Sequence, residues 1–255
     1  MLASYYFGRP SEKMVVIGIT GTAGKSTTAA MLAHILNFAG KKCGYVTTVD
    51  FFNGKNNIIN KHGLSMAGGW RMQRQLANML MQGCEYAVIE CTSEGLAQNR
   101  HLGINFDAAL FTNLSHAHLE AHGSLSNYKQ AKGKLFGLLL HGRKKKQYPY
   151  KIIGANIDDP MSGYFLSFPA THKFGVSFQR VLSPIAQKVF FCKLNNSNEP
   201  LEFEVQDQIY QLNMLGVFNT KNAALAVAAA ENFGVNLAKS SKALLSFTGV
   251  LGRMQ

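Results

Sequence analysis
The sequence predicts an α/β fold: a mostly parallel sheet flanked by helices, with a small antiparallel β subsheet near residues 189–214. Three observations carry this. Short apolar runs alternate with helix-period segments over the first two thirds of the chain. A glycine-rich stretch, Gly18 to Thr27, sits between the first strand and the first helix. Beyond it, the last third changes to close-spaced, partly alternating runs. With 255 residues, 47% of them apolar and 16% charged, the chain can bury a full core, and disorder is excluded. Residues 1–255 are read as one domain.

The elements follow in order. Met14 to Ile19 is a short apolar β run. Ser26 to Ala39 reads as a helix, with Met31, Leu32, Ile35 and Leu36 on one face and Gly40 as its stop. Tyr45 to Val49 is a strand. Trp70 to Met81 carries Met72, Leu76, Met79 and Leu80 at helical spacing, and Gly83 ends it. Tyr86 to Cys91, Ala108 to Thr112 and Ile152 to Ala155 are buried-type strands, and Tyr128 to Leu140 is helical. Val189 to Lys193, Leu201 to Val205 and Ile209 to Met214 form the antiparallel part, with a tight turn at Gln206, Asp207 and Gln208. Helices over Thr220 to Phe233 and Leu237 to Phe247 follow.

Several classes are excluded or disfavoured. No apolar run reaches the ~18 residues of a membrane helix, and the N-terminus has no apolar h-region of a secretory signal. Cys43, Cys84, Cys91 and Cys192 form no CxxC pair and read as reduced cytosolic thiols. The formal charge of +12 suits anionic partners. The run from Arg143 to Lys146 reads as a solvated loop, and no nucleic-acid recognition motif accompanies it.

The sharpest motif is Gly18-Ile-Thr-Gly-Thr-Ala-Gly-Lys-Ser-Thr27. Glycines let backbone N–H groups turn inward around phosphate oxygens, and the helix N-terminus adds a positive dipole end. Lys25 can reach the β and γ phosphates, and the Ser26 hydroxyl can ligate Mg²⁺. The spacing departs from the general phosphate-loop pattern: five residues separate Gly18 from Gly24.

Other positions leave their roles open on residues alone. Glu90 ends an apolar strand, where it is either a hard ligand for Mg²⁺ or an exposed strand-end acid. His116, His118 and His122 suit a transition-metal site or a loop of non-ligand histidines equally well. Lys132, on an amphipathic helix, reads as solvated. Asn219 and Asn222 share a helical face; they read as a base-edge reader or as an N-cap followed by a surface amide.

Thr20-Gly-Thr-x-Gly-Lys-Ser-Thr27 resembles the variant loop of the Mur ligases and their folylpolyglutamate synthetase relatives. The chain resembles the central ATPase domain of that family, nearest the branch that adds the third amino acid to UDP-N-acetylmuramoyl-dipeptide. The likeness runs from Tyr6-Phe-Gly-Arg-Pro-Ser11 to Gly252-Arg-Met254. It implies ATP and Mg²⁺ as cofactors, with Thr20, Gly21, Thr22, Gly24, Lys25, Ser26 and Thr27 on the phosphates. It implies Glu90 and His118 as metal ligands and a carbamylated lysine at Lys132. Asn219 and Asn222 match F-N-x-x-N-A on the adenine, Arg253 would approach the γ-phosphate, and Asn156-Ile-Asp-Asp-Pro160 matches N-x-D-D-P. Thr92, Gln98 and Arg100 fall on substrate positions, while the family's T-T-P aligns with Ser65-Met-Ala67, keeping a hydroxyl at Ser65 only. Ala117 replaces the family's Asp before His118.

The implied function is amide-bond ligation of a UDP-N-acetylmuramoyl-peptide with an amino acid through an acyl phosphate, in the cytoplasm. The family's N-terminal UDP-binding and C-terminal amino-acid-binding domains have no counterpart in these residues, so a separate C-terminal ligase domain is an expected partner. A stand-alone ATP-binding or regulatory domain without ligase activity is the other reading.

Overall fold
In the computed structural model, described for residues 1–61, 63–64, 66–115 and 123–249, the central strand β1 (Val15–Thr20) is buried along its whole length. Its side chains alternate between two cores. Val15, Ile17 and Ile19 enter one, and Val16 enters the other. This is the period-2 pattern of a sheet covered on both faces.

β5 (Tyr86–Glu90) and β6 (Ala108–Phe111) lie in parallel on either side of β1. β2 (Cys43–Val46) extends the β5 side, and β7 (Ile152–Asn156), β8 (His172–Ser177) and β9 (Lys188–Asn196) extend the other, all in parallel. Connections leave β1 in both directions, so a crevice opens at the C-terminal ends of β1, β5 and β6, where open α/β sheets bind ligands. Antiparallel hairpins close both edges. These are β3 (Asp50–Phe52) with β4 (Asn57–Ile59), and β10 (Leu201–Val205) with β11 (Gln208–Leu212). Among the described residues, eleven strands form one sheet in the order β11-β10-β9-β8-β7-β6-β1-β5-β2-β3-β4.

The helices sort by face. α2 (Lys25–Phe38), α7 (Phe218–Asn232) and α8 (Leu237–Leu245) cover one. α3 (Gly69–Met81), α5 (Leu125–His141) and the short α6 (Ser162–Leu166) cover the other. α7 is buried from Ala223 to Ala230, and its small side chains let α2 pack closely along it. Two short helices, α1 (Leu2–Tyr6) and α4 (Ser93–Ala97), are also present.

One strand expectation changes. The strand expected over residues 45–49 ends at Val46, and the chain turns into the β3–β4 hairpin, whose three-residue strands leave no period to read. The antiparallel subsheet forms as expected, β10 pairing antiparallel with β9 and β11, and it joins the main sheet because β9 pairs in parallel with β8. Its tight turn is as expected: Gln206 and Asp207 both take positive φ (50° and 62°), the twist a two-residue hairpin requires.

The basic run from Arg143 to Lys146 is solvated only in part. Lys145 is buried and ion-paired with Asp107, which is itself fully buried. Lys151 Nζ bonds the other Asp107 oxygen at 3.2 Å, and the Val16 N–H donates to the carboxylate at 2.8 Å. Carbonyls of Met14 and Asn105 take the remaining Lys145 protons at 2.7 and 3.1 Å. Burial raises the Asp107 carboxyl above its ordinary range against the opposing pull of the two lysines. The four cysteines are free and buried. Among the described residues no helix is long and apolar enough to cross a membrane.

Candidate active site
The loop from Gly21 to Gly24 leaves β1 and opens α2 at the crevice. Gly24 is the N-cap of α2 with φ +82°, and a Cβ there would collide with the Asn222 side-chain oxygen. Gly21 meets the Thr112 hydroxyl in the same way. The backbone therefore approaches its neighbours closer than any side chain allows. Glycine at the N-cap also leaves the positive end of α2 without a capping side chain of its own, as an anion site requires.

The segment after β6 braces the loop. Thr112 Oγ1 donates to the Ala23 carbonyl at 2.7 Å, and Asn113 Nδ2 donates to the same oxygen at 3.1 Å. The Ala23 N–H returns a bond to Asn113 Oδ1 at 3.0 Å, and the Thr22 N–H reaches the Asn113 carbonyl at 2.8 Å.

Glu90 is not an exposed strand-end acid. It is buried, and its Oε2 accepts from Ser26 Oγ at 2.7 Å, from the Thr48 N–H at 2.9 Å and from Thr48 Oγ1 at 3.3 Å. Lys25 Nζ donates to the Thr22 carbonyl at 2.8 Å and lies 3.9 Å from Glu90 Oε1. A hydroxyl, a carboxylate and a second hydroxyl thus converge beside the phosphate loop. These are hard oxygen donors of the kind Mg²⁺ takes, with most of its shell left to phosphates and water. Among the described residues no three histidine, cysteine, aspartate or glutamate side chains come together. Thr48 was not singled out from sequence; the available signal is a threonine pair just past β2, level with Glu90.

Lys132 is also not solvated. Its side chain is 1% exposed, its Nζ donates to the Gly21 carbonyl at 2.7 Å, and it lies 4.3 Å from the centre of the Tyr128 ring. Burial, with a smaller push from Lys25, lowers its pKa from 10.5 to about 6 against the pull of Glu90. At neutral pH it is an uncharged amine inside the site.

On the other side of the loop, Gly24, Asn156, Asp159, Phe218 and Asn222 line a cavity of about 290 Å³. Neither asparagine caps α7, whose N-cap is Val217. Asn219 Nδ2 donates to the Leu215 carbonyl at 2.8 Å, and Asn222 Nδ2 donates to Asn219 Oδ1 at 3.0 Å. This chain holds the Asn222 amide against the phosphate loop. Asp159 Oδ2 accepts from the Leu114 N–H at 2.8 Å, and Asn156 Nδ2 donates to the Thr112 carbonyl at 3.1 Å.

Of the remaining expected residues, Thr20 and Thr27 are buried, and the Thr20 hydroxyl has no partner among the described residues. Thr22 Oγ1 accepts from the Ser115 N–H at 3.0 Å. Thr92 caps α4, accepting from the Gly95 N–H at 3.2 Å. Arg100 donates to Gln98 Oε1 at 2.6 Å and to the Met66 carbonyl at 3.1 Å. Ser65, His116, Ala117, His118, His122 and Arg253 lie outside the described residues.

A parallel sheet with a glycine loop, an uncapped helix start, and a lysine and a carboxylate at the strand ends defines a phosphate-loop α/β fold. The Mur ligase middle domain family matches residues 19–230. The chain belongs to the Mur ligase family. It is 34% identical over 267 residues to a UDP-N-acetylmuramyl-tripeptide synthetase of a Roseiflexus species, covering 100% of this chain and 51% of that protein. It is 32% identical over 268 residues to the protein of that name from Treponema denticola, covering 99% and 49%. A solved UDP-N-acetylmuramoyl-L-alanyl-D-glutamate–2,6-diaminopimelate ligase superposes with a TM-score of 0.78 at 25% identity, over 95% of this chain and 48% of that one. The chain thus spans about half the length of these relatives.

Proposed function
We propose that this chain is the ATP- and Mg²⁺-binding domain of a Mur-type amide-bond ligase in the cytoplasm. In this reading it acts on a UDP-N-acetylmuramoyl-peptide and an amino acid by way of an acyl phosphate, for peptidoglycan precursor synthesis. One observation carries the proposal: the convergence of Ser26, Thr48 and Glu90 beside the Gly21–Gly24 loop, with Lys25 Nζ 3.9 Å from the same carboxylate.

Each side chain then has a task. The loop N–H groups and Lys25 hold and neutralise phosphate oxygens. Ser26 and Glu90 hold Mg²⁺, which when bound offsets charge on the transferring phosphoryl group. Asn222 presents an amide to the 290 Å³ cavity, where the base would lie. Lys132, neutral at pH 7, has the free lone pair that adds to CO₂ with loss of one proton from Nζ. The resulting carbamate would replace a neutral amine with an anionic metal ligand. Outside the described residues, His118 is the expected second metal ligand and Arg253 the γ-phosphate contact. Thr92, Gln98, Arg100 and Ser65 form the proposed substrate side. A C-terminal ligase domain, in cis or in trans, is the proposed partner, because ligation needs the incoming amine held in line.

Calorimetry tests the nucleotide reading. Wild type should bind Mg²⁺-ATP, Lys25→Ala should abolish binding, and Glu90→Gln should lower Mg²⁺-ATP affinity about tenfold or more while affecting metal-free ATP less. Equal affinity in all three proteins would overturn it. Mixing the chain with a C-terminal ligase domain, UDP-N-acetylmuramoyl-dipeptide, ATP and candidate amino acids should release ADP. No ADP above background would count against ligation.

A further inference from the structure
α1, the β3–β4 hairpin and α3 meet beside the open β4 edge of the sheet and share one chemical property. Residues 1–11 and 51–84, which hold these elements apart from the first residue of β3, contain no aspartate or glutamate. Asp50, that first residue, is buried and accepts from Thr47 Oγ1 at 2.7 Å and from Asn57 Nδ2 at 2.8 Å. Glu12, just past α1, accepts from Asn105 Nδ2 at 3.0 Å. None of the exposed side chains on this face has a task in the reading above.

Those side chains are largely apolar. Leu2 and Tyr6 of α1 are 86% and 74% exposed, Ile59 of β4 is 66% exposed, and Trp70 of α3 is 54% exposed. They form a continuous strip. The Tyr6 and Phe7 rings lie 5.0 and 5.3 Å from the Trp70 ring, and Trp70 shares a groove of about 460 Å³ with Ile58 and Ile59. Cations stand among them. The Arg9 guanidinium lies 4.1 Å from the centre of the Tyr5 ring. Arg71 and Arg74, exposed and three apart on α3, line the same groove, and exposed Lys61 follows β4. Among the described residues none of these four cations is ion-paired.

A continuous strip of exposed apolar side chains marks an interaction surface. Its mixture with charge decides the partner. Protein interfaces carry few charges at their centre, whereas here cations flank Tyr5, Trp70 and Ile59. Rings that enter the boundary between headgroups and acyl chains, beside long cations that reach lipid phosphates, are the pattern of a protein lying on a membrane surface. The lack of carboxylates removes the repulsion that an anionic leaflet would exert on them. We propose that this face binds the surface of an anionic lipid bilayer, with Tyr6, Trp70 and Ile59 entering the interface and Arg9, Lys61, Arg71 and Arg74 on lipid phosphates. No segment crosses the bilayer in this arrangement, and it does not depend on nucleotide binding at the phosphate loop.

Trp70 is the chain's only tryptophan, so its emission reports on this face directly. Vesicles of phosphatidylglycerol mixed with phosphatidylcholine should shift that emission to the blue and carry the protein down on sedimentation. Vesicles of phosphatidylcholine alone should do neither, and rising salt should weaken the binding. Arg71→Gln with Arg74→Gln should lower the partition onto anionic vesicles at least tenfold with an unchanged circular dichroism spectrum. Trp70→Ser should lower it several-fold by sedimentation. Lys239→Gln with Lys242→Gln, on α8 at the opposite face of the sheet, removes the same charge and should change it less than twofold. Equal losses in the two double variants would show binding by net charge alone and overturn the proposal. So would an absent blue shift, or equal binding to phosphatidylcholine alone. Light scattering that shows a lipid-free dimer, with Trp70 shielded from acrylamide, would assign the face to a second copy of the chain and also overturn it.

Discussion

At Lys132 the fold places an ammonium where a proton costs more than it does in the unfolded chain. Its folded pKa of about 6 lies below the ordinary 10.5, so between these values the unfolded chain holds the extra proton. Stability therefore rises with pH across that window, by at most about 1.4 kcal/mol per pH unit from this group, and the contribution is lost as pH falls through 6. Lys132→Met should flatten the rise between pH 6 and 9 in CO₂-free buffer, measured by urea unfolding at each pH. An unchanged slope would mean that the amine is charged in the fold. Lys132 also shows what a sequence leaves unread. Helix period assigns a residue to a side of its own helix, but whether that side meets solvent or a loop 111 residues away is decided by tertiary packing.

Among the elements, the phosphate loop and the strands around it were legible, because each fully buried strand is a short apolar run bounded by turn residues and the loop must be rich in glycine. The β3–β4 hairpin was not, since strands of three residues carry no period. β8 was missed as well: His172 and Lys173 begin it as exposed or half-exposed positions, and only its last four residues are buried. Thr48 escaped notice because its partner is 42 residues away and one of its bonds is through its backbone N–H. The loop's tolerance is sharply limited. Gly24→Ala combines a left-handed φ of +82° with a collision against Asn222, so either the start of α2 or α7 must shift. We expect Gly24→Ala to lose nucleotide binding by at least tenfold in calorimetry while the protein stays folded. Gly40→Ala has open space around its Cβ but a φ of +82°, and should cost only about 1 kcal/mol in unfolding experiments, with nucleotide affinity unchanged.

Across the whole molecule, the two ends of the sheet do different work. The C-terminal ends of the strands carry the loop, Glu90 and the 290 Å³ cavity beside them, while Asp107, at the start of β6, carries a buried ion cluster at the opposite end. Asp107→Asn leaves Lys145 and Lys151 without their counter-charge and should cost about 3–5 kcal/mol in denaturant unfolding. Lys146→Ala, one residue along the same basic run and exposed, should change stability by no more than about 0.5 kcal/mol. Equal losses for the two variants would rule out the cluster. The four cysteines add a kinetic property to the same architecture. They are spread over β2, the turn before β5, its end and β9, and burial raises every thiol pKa, that of Cys84 to about 11. A thiolate-seeking reagent should therefore find almost no target in the folded protein at pH 8 and four in strong denaturant. Under native conditions each alkylation event records one opening of its own segment, so the four labelling rates, separated by mass spectrometry of peptides, time the opening of successive parts of the sheet. Cys84, beside the hairpin, should label first and Cys43 and Cys91, deep beside β1 and β5, last.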